Sequence, residues 1–197
     1  MAKSIAFFDF DGTITTHDSM LELARFSAGS LKYVTGMCLL SPWLVAMKLS
    51  LLSKKTAKEK LLRHFFGGMP IKKFEEHCLL FTMQRLPSII KKEAMAAIQL
   101  HLSAQTPVVV VSASAENWVA PWCQQNNLQF IATRLELKND QVTGKLSGEN
   151  CNGNEKVSRI KEMFNLADFS NVYCYGDTSG DKMMLQMGTH PFYRCYQ

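Results

Sequence analysis

The sequence predicts an α/β fold, in which an all-helical cap is inserted into a Rossmann-like parallel sheet. Short, continuously apolar runs occur near both ends of the chain, at residues 5–8, 108–111 and 172–175. Such runs are typical of strands that are buried on both faces of a parallel sheet. Residues 17–100 instead have apolar residues at helical spacing and little that resembles a strand. We therefore expect residues 1–16 and 101–197 to form the core, and residues 17–100 to form a cap over the carboxyl end of the first strand.

The first strand runs directly into two carboxylates, Asp9 and Asp11, which precede a Gly-Thr turn. In open α/β sheets, ligands bind in the crevice beyond the carboxyl ends of the strands. Two neighbouring carboxylates raise each other's pKa, and a bound cation removes this cost. Mg²⁺ is the oxygen-seeking ion that would suit them, usually with waters and a substrate phosphate. On these two residues alone, a solvated acidic turn is an equally good interpretation.

Three helices of the cap region have recognisable start and stop signals. We expect Ser19 to cap the first helix, which ends near Gly29. The second is predicted to begin at Thr56 and to end at Gly67, and the third follows Pro70.

Residues 33–47 form an uncharged run between the first and second of these helices. The run is shorter than the about 20 apolar residues that a membrane span needs, so we reject a transmembrane helix. Because Pro42 interrupts it, we expect a pair of helices kinked at Ser41 and Pro42, either buried or at an interface.

The formal charge of +5 is unevenly distributed along the chain. From Lys48 to Lys73 there are seven lysines and one arginine against a single acid, Glu59, which leaves −2 for the rest of the chain. This segment favours an anionic partner, although a solvated set of helix faces explains the charges equally well. We expect no nucleic-acid partner.

The six cysteines are scattered, without a CxxC pair or the spacing of a metal site. This pattern predicts reduced thiols in a cytoplasmic protein. The apolar run before Asp9 is too short for a secretory signal, which agrees with that expectation.

The second half of the chain alternates between predicted strands and helices. Four consecutive valines at residues 108–111 favour a strand strongly. The other expected elements are a helix at 116–126, a hairpin of strands 130–137 and 142–146, a helix at 154–164, a strand at 172–175, a helix ending at Met187 and an edge strand at 192–195.

Four further polar residues follow predicted strands or begin predicted helices: Ser112, Lys156, Asp177 and Asp181. Each has an ordinary explanation alone, as a helix cap, a surface charge or a residue that complements a helix dipole. In this order and at these positions, they predict a site for a phosphate and a metal ion.

These motifs resemble the haloacid dehalogenase (HAD) superfamily, in its phosphoserine phosphatase-like branch (subfamily IB, with a helical C1 cap). The resemblance covers about half of the chain, and the cap matches only in length and helicity. The matching segments are residues 9–13, 108–112, 143–146, 151–157 and 176–181.

The resemblance implies a two-step phosphoryl transfer. Asp9 would attack phosphorus and form an aspartyl phosphate. Asp11 would protonate the leaving alcohol and later deprotonate water. The implied ligands of Mg²⁺ are the Asp9 carboxylate, the Asp11 backbone carbonyl and Asp177, with Asp181 supporting the site.

Ser112 and Lys156 would hold the oxygens of the transferring group. Neutralisation of charge and in-line positioning are what phosphoryl transfer demands of an enzyme. An acid at Asp11 argues against a dehalogenase, since halide leaves without a proton. A phosphomutase or other phosphotransferase, and a non-catalytic phosphate-binding protein on the same fold, remain as alternatives.

The substrate is less well defined by the sequence. By the resemblance, Asp18 corresponds to an acidic cap residue that faces a substrate amine, and Arg63 is the nearest candidate for binding a substrate carboxylate. The uncharged run at 33–47 and the basic segment after it point instead to an amphipathic ester, such as a phosphatidylglycerophosphate. We therefore expect either a small metabolite such as phosphoserine or a lipid phosphate ester, the latter with peripheral membrane contact through the cap. The oligomeric state is left open.

Overall fold

The computed structural model describes residues 3–196, which form a six-stranded sheet with helices on both faces. The strand order is β4-β3-β2-β1-β5-β6. Neighbouring strands are parallel except for β3 and β4, which form an antiparallel hairpin. The strands are β1 (Ser4–Phe8), β2 (Val108–Ala115), β3 (Gln129–Lys138), β4 (Gln141–Ser147), β5 (Asn171–Gly176) and β6 (His190–Tyr193).

Strand β1 lies in the middle of the sheet and is buried on both faces. Phe7 pairs with Val109 of β2 and with Cys174 of β5. Successive side chains of a strand point to opposite faces, so Ala6 and Phe8 enter one apolar cluster and Ile5 and Phe7 enter the other. This double burial explains the uninterrupted apolar sequence and confirms the predicted parallel sheet.

A block of helices is inserted between β1 and β2, as predicted. A single 3₁₀ turn, Leu86–Ile89, separates the fourth and fifth of these helices. The helices are α1 (Ser19–Ala28), α2 (Ser30–Lys48), α3 (Lys54–Phe66), α4 (Ile71–Gln84) and α5 (Lys92–Ser103). The later helices are α6 (Glu116–Gln125), α7 (Asn154–Met163) and α8 (Lys182–Met187).

Helix α2 is continuous, and the expected pair of kinked helices is wrong. Pro42 lacks the N–H that would bond to the carbonyl of Cys38. The Ser41 hydroxyl donates to that carbonyl at 2.8 Å, so the group freed by proline still has a partner. Within residues 3–196, no helix combines the length and the sustained apolarity that crossing a bilayer demands.

Two helix starts also differ from the sequence prediction. Asp18 caps α1, because its carboxylate accepts the N–H of Leu21 at 3.0 Å, and Ser19 is the first helical residue. Helix α3 begins before Thr56 because the Ser53 hydroxyl accepts the Thr56 N–H at 3.0 Å.

The chain enters the part of the block that holds α1–α4 and leaves it side by side. The N–H of Thr16 donates to Ile89 O at 2.7 Å, and the N–H of Lys91 donates to Ile14 O at 2.8 Å. The following helix, α5, packs on the sheet, where His101 Nε2 lies 2.9 Å from the Tyr175 hydroxyl of β5. The expected division into domains at residue 100 stays a prediction.

Candidate active site

The loop after β1 brings Asp9 and Asp11 to the carboxyl edge of the sheet. The N–H of Asp9 donates to Tyr175 O of β5 at 2.9 Å, which extends the pairing of the strands up to the first carboxylate. Gly12 has a φ of +84°, and a Cβ there would lie 2.3 Å from Asp177 Oδ2. Only glycine allows both this left-handed backbone and the close approach of Asp177.

Three carboxylates meet at this edge. One carboxylate oxygen each from Asp9, Asp177 and Asp181 lie within 4.8 Å of one another. Asp177 accepts the Thr13 hydroxyl at 3.0 Å, and Asp181 accepts the N–H and the hydroxyl of Thr178 at 3.0 and 2.8 Å. Because β1 and β5 are adjacent and parallel, their ends deliver these side chains to one point.

Lys156 lies beneath the carboxylates and is fully buried. Its ammonium donates to Asp9, to Asp181 at 2.7 Å and to the carbonyl of Val111 at 2.6 Å. The loop that leads into α7 fixes this position, since the N–H of Gly153 donates to Gly180 O at 2.9 Å. Lys156 therefore links strand β2 with the segments that follow β1 and β5.

The electrostatics of the cluster are dominated by burial. Burial raises the pKa of Asp9 to about 7, because the opposing effect of the Lys156 ammonium is weaker and the charges of Asp181 and Asp11 add to the rise. Burial also raises the pKa of Asp177. Burial alone would raise the pKa of Asp181 as well, but Lys156 outweighs it and holds that pKa below its ordinary value.

Burial alone would lower the pKa of Lys156, but the carboxylates of Asp9 and Asp181 hold it above its ordinary value. One ammonium thus faces several buried carboxylates, and it does not offset the cost of charging Asp9. Such a group of hard oxygen donors with excess negative charge fits a divalent cation such as Mg²⁺.

Asp11 points away from this cluster, towards the helical block. Its carboxylate accepts the N–H of Ser19 at 2.7 Å and the hydroxyl of Ser114. The hydroxyls of Ser19 and Ser114 lie 3.1 Å apart, and the Trp118 indole donates to Ser19 at 2.9 Å. This network fixes the Asp11 side chain, and sequence reasoning missed it.

A cavity of about 310 Å³ opens between the carboxylates and the helical block. On the side of the sheet edge, the cavity is lined by four charged residues: Asp9, Asp11, Asp181 and Lys156. The opposite wall is largely apolar, with residues from α2 and α3 that include Met37, Leu44, Met47, Ala57 and Leu61.

Three charged residues of the helical block line this cavity, namely Asp18, Lys54 and Lys58. Desolvation raises the pKa of Asp18 to about 6, and the nearby Asp11 charge contributes. Lys58 donates to Ala113 O at 2.7 Å and to Asn150 Oδ1 at 3.1 Å. Burial lowers the pKa of Lys58, against the opposing effect of Asp18 and Asp11.

Arg63 is not brought to the cavity. One face of α3 lines the cavity, through Lys54, Ala57, Lys58 and Leu61. Arg63 lies on a different face, about 140° around the helix axis from Lys58. That side of the helix packs on β4. The exposed Arg63 side chain therefore has no contact with the candidate site in this structure.

Ser112 is brought close to the site but not into the cavity. Its hydroxyl is buried and accepts the N–H of Ser114 at 2.9 Å. The cavity is lined instead by the next two residues, Ala113 and Ser114. A strand-end serine signals this region in the sequence, but the motif alone does not say which of the two serines faces the cavity.

The comparisons with known proteins agree with this fold. Protein CicA of Caulobacter vibrioides is 32% identical over 192 residues, which cover 96% of this chain and 85% of CicA. A protein with unknown function from Bordetella pertussis Tohama I has a similar structure, with a TM-score of 0.82, 22% identity, and coverage of 96% of this chain and 88% of that one. A phosphoserine phosphatase solved as a phospho-aspartyl intermediate analogue has a TM-score of 0.65 and 24% identity, with coverage of 95% and 84%.

These solved structures share the fold, including the helical cap, and the predicted resemblance to the phosphoserine phosphatase-like branch is confirmed at that level. A family model described as haloacid dehalogenase-like hydrolase matches residues 6–186, which is most of the chain. The chain therefore belongs to the haloacid dehalogenase-like hydrolase family.

Proposed function

We propose that this protein is a Mg²⁺-dependent phosphatase that hydrolyses a phosphate monoester through an aspartyl phosphate. The observation that carries this proposal is the cluster of Asp9, Asp177 and Asp181 around Lys156, at the edge of a cavity large enough for a small ligand. The family to which the chain belongs supports hydrolysis as the class of reaction.

The metal would be held by the carboxylates of Asp9 and Asp177 and by the backbone carbonyl of Asp11, with Asp181 in support. When bound, Mg²⁺ supplies positive charge that neutralises the phosphoryl oxygens during transfer. The excess of buried negative charge at this edge, which leaves Asp9 with a raised pKa, supports this assignment.

In the first step, a carboxylate oxygen of Asp9 forms a bond to phosphorus while the bond from phosphorus to the ester oxygen breaks. Asp11 gives a proton to that departing oxygen, which leaves as an alcohol. In the second step, Asp11 takes a proton from water as the water oxygen bonds to phosphorus. The bond between phosphorus and Asp9 then breaks, which releases inorganic phosphate and restores both carboxyl groups.

Lys156 is proposed to bind the phosphoryl oxygens, together with Ser112 from its buried position directly beside the cavity-lining Ala113 and Ser114. The ammonium of Lys156 already contacts the nucleophile, so a phosphoryl group on Asp9 would lie near a fixed positive charge. Phosphate monoesters are among the slowest compounds to hydrolyse without a catalyst, and fixed charges of this kind account for a large part of enzymatic rate enhancement.

The cavity wall is consistent with two classes of substrate. Asp18 and Lys58 offer opposite charges that suit a small zwitterion such as phosphoserine. The apolar residues of α2 suit a bulkier amphipathic ester such as a phosphatidylglycerophosphate. The proposed activity is that of a phosphoric monoester hydrolase in either case.

A phosphatase screen tests the proposal. The purified protein is assayed with Mg²⁺ against phosphate esters of amino acids, sugars, nucleotides and glycerolipids, with release of inorganic phosphate as the readout. We expect that EDTA removes the phosphatase activity and that added Mg²⁺ restores it. We also expect Asp9→Asn to abolish the activity. Asp168→Asn, an exposed acid far from the site, is the matched control. Activity that survives in Asp9→Asn, or that persists in chelator with no metal bound, would refute the proposal.

A further inference from the structure

Helix α2 presents apolar residues on its solvent side as well as on its packed side. Gly36 and Leu40 are buried, and Met37 and Leu44 face the cavity. Five apolar residues around the rest of the helix are exposed to solvent: Leu31, Val34, Leu39, Trp43 and Val45. The exposed fraction is 79% for Leu31 and 62% for Leu39. A helix that is apolar on all sides is normally covered on all sides.

The turn after α2 continues this exposed surface. Leu49 is 65% exposed and Leu51 is 77% exposed. We call the exposed apolar residues of α2 and this turn the outer face of the cap. Scattered apolar residues are ordinary on a protein surface, but seven of them on one helix and the turn that follows it mark a place where something binds.

The charges around the outer face are of one sign. Lys32 and Lys48 lie near the two ends of α2, and the Lys60 ammonium lies 4.7 Å from the centre of the Trp43 ring. No acidic residue occurs between Glu22 and Glu59. Exposed aliphatic residues with one tryptophan and flanking lysines offer an anionic bilayer both apolar contact and attraction of charge.

A second copy of the chain fits this surface less well. In a two-fold symmetric pair the same patch faces itself, so the lysines of both copies would be brought together. An anionic lipid surface matches the charge instead, and each lysine near such a surface contributes about 1 kcal/mol to binding.

We propose that the outer face of the cap docks on an anionic lipid bilayer. The inner face of the same helix lines the cavity through Met37, Leu44 and Met47, so docking holds the candidate active site beside the lipid headgroups. The use of this position to hydrolyse a phosphate ester drawn from the membrane rests on the proposed function, whereas the docking itself does not.

Vesicle co-sedimentation tests the docking without any substrate. Vesicles of phosphatidylcholine with about 30% phosphatidylglycerol are compared with vesicles of phosphatidylcholine alone, at low and high salt. We expect the wild-type protein to bind the anionic vesicles at low salt and to be released as salt rises. Lys32→Gln with Lys48→Gln is expected to weaken this binding without loss of folding.

The apolar part is tested by the triple variant Leu39→Ser, Val45→Ser, Leu51→Ser, which changes exposed residues that do not line the cavity. We expect its binding to anionic vesicles to fall at least about tenfold, because three buried aliphatic side chains are lost at the membrane. The matched control changes exposed residues elsewhere, Leu79→Ser, Met83→Ser and Leu100→Ser, and is expected to bind as the wild type does.

The outcomes separate the docking from the catalysis. Hydrolysis of p-nitrophenyl phosphate with Mg²⁺, measured on the same samples without vesicles, reports on the active site alone. A wild-type protein that stays in the supernatant with anionic vesicles at low salt overturns the docking, as does an equal loss of binding in the control variant. A dimer that the triple variant dissociates, without lipid binding, assigns the face to self-association and also overturns it. Absent hydrolysis with intact vesicle binding refutes the proposed function and leaves the docking supported.

Discussion

The carboxyl edge of the sheet and the outer face of the cap differ in whether contacts within the chain explain the side chains found there. At the sheet edge, Asp9, Asp181 and Lys156 are buried, and each has named partners within the chain. On the outer face, Leu39 and Leu51 are exposed to solvent. The first arrangement is explained by contacts inside the molecule, and the second is explained only by something outside it.

Burial constrains polar and apolar side chains differently in these two regions. Buried polar groups are costly unless they are paired, so the contacts at the sheet edge strongly constrain which residues can occupy it. Exposed apolar groups cost the folded chain little, so nothing within the fold requires them. Removing the members of the sheet edge one at a time tests this internal arrangement.

Lys156→Met is expected to have the largest effect. It leaves Asp9 and Asp181 buried without their ammonium, and the loss of one partner of a buried ion pair costs about 3–5 kcal/mol. Urea denaturation would measure this loss in free energy of unfolding, and phosphatase activity should fall by about 10²–10³-fold. Lys161→Met, on the exposed part of the same helix, should leave both nearly unchanged. A stable and active Lys156→Met protein would show that the edge does not depend on this cation.

Gly12→Ala is expected to be the next most damaging change. The left-handed backbone at Gly12 costs an alanine about 1–2 kcal/mol, and the new Cβ would also collide with Asp177. Gly148 has a φ of +83° with nothing within 4 Å of its added Cβ, so Gly148→Ala is a matched control for the backbone cost alone. We expect both variants to lose stability in thermal unfolding and only Gly12→Ala to lose Mg²⁺-dependent activity, by at least about tenfold. Equal activity in the two would contradict a role for the close approach of Asp177.

Ser114→Ala should reduce kcat by about tenfold with little change in KM. Its hydroxyl donates to Asp11, so its loss frees the proposed acid and base to turn away from the cavity without removing it. Ser103→Ala, at an exposed position of α5, is the control. An increase in KM alone would assign Ser114 to substrate binding rather than to positioning of Asp11.

The smallest effect is predicted for the pH dependence of stability at His101. Burial lowers the pKa of His101, so the folded chain resists the proton that the unfolded chain accepts below its ordinary pKa of about 6.5. The stability of the wild type should therefore decline as pH falls through this value. His101→Gln should lack that part of the decline between pH 7 and 5, as urea denaturation would measure. His17→Gln, an exposed substitution, is the control, and identical profiles for wild type and His101→Gln would contradict the effect.

The elements of the sheet were predictable because their signals are local. Residues 108–111 and 172–175 are short apolar runs that favour strands. The residues Asn139 and Asp140 are typical of the turn that joins the two strands of a hairpin. The meeting of carboxylates at the carboxyl edge of the sheet follows from these strands, because parallel neighbouring strands end at the same edge.

Features that depend on a single side-chain contact were not predictable. The continuity of α2 rests on the Ser41 hydroxyl, and the first turn of α3 rests on Ser53. The expected edge strand at 192–195 begins earlier, at His190, since its register is set by pairing with β5.

The network around Asp11 was missed for a different reason. Ser19, Ser114 and Trp118 are far apart in the sequence and carry no motif, so only the folded chain brings them together. Arg63 and Lys58 illustrate the same limit, because the face that a helix turns to a cavity depends on what its other face packs against.

The pairing of Thr16 with Ile89 and of Ile14 with Lys91 has a consequence for how such proteins diversify. The two ends of the segment that holds α1–α4 leave the core as hydrogen-bonded neighbours. A short turn would therefore be enough to connect them if that segment were removed. A segment attached in this way can be lengthened, exchanged or grafted from a homologue while the strand register around Asp9 is preserved. Chimeras joined at these residues would let one catalytic core be combined with many different specificities.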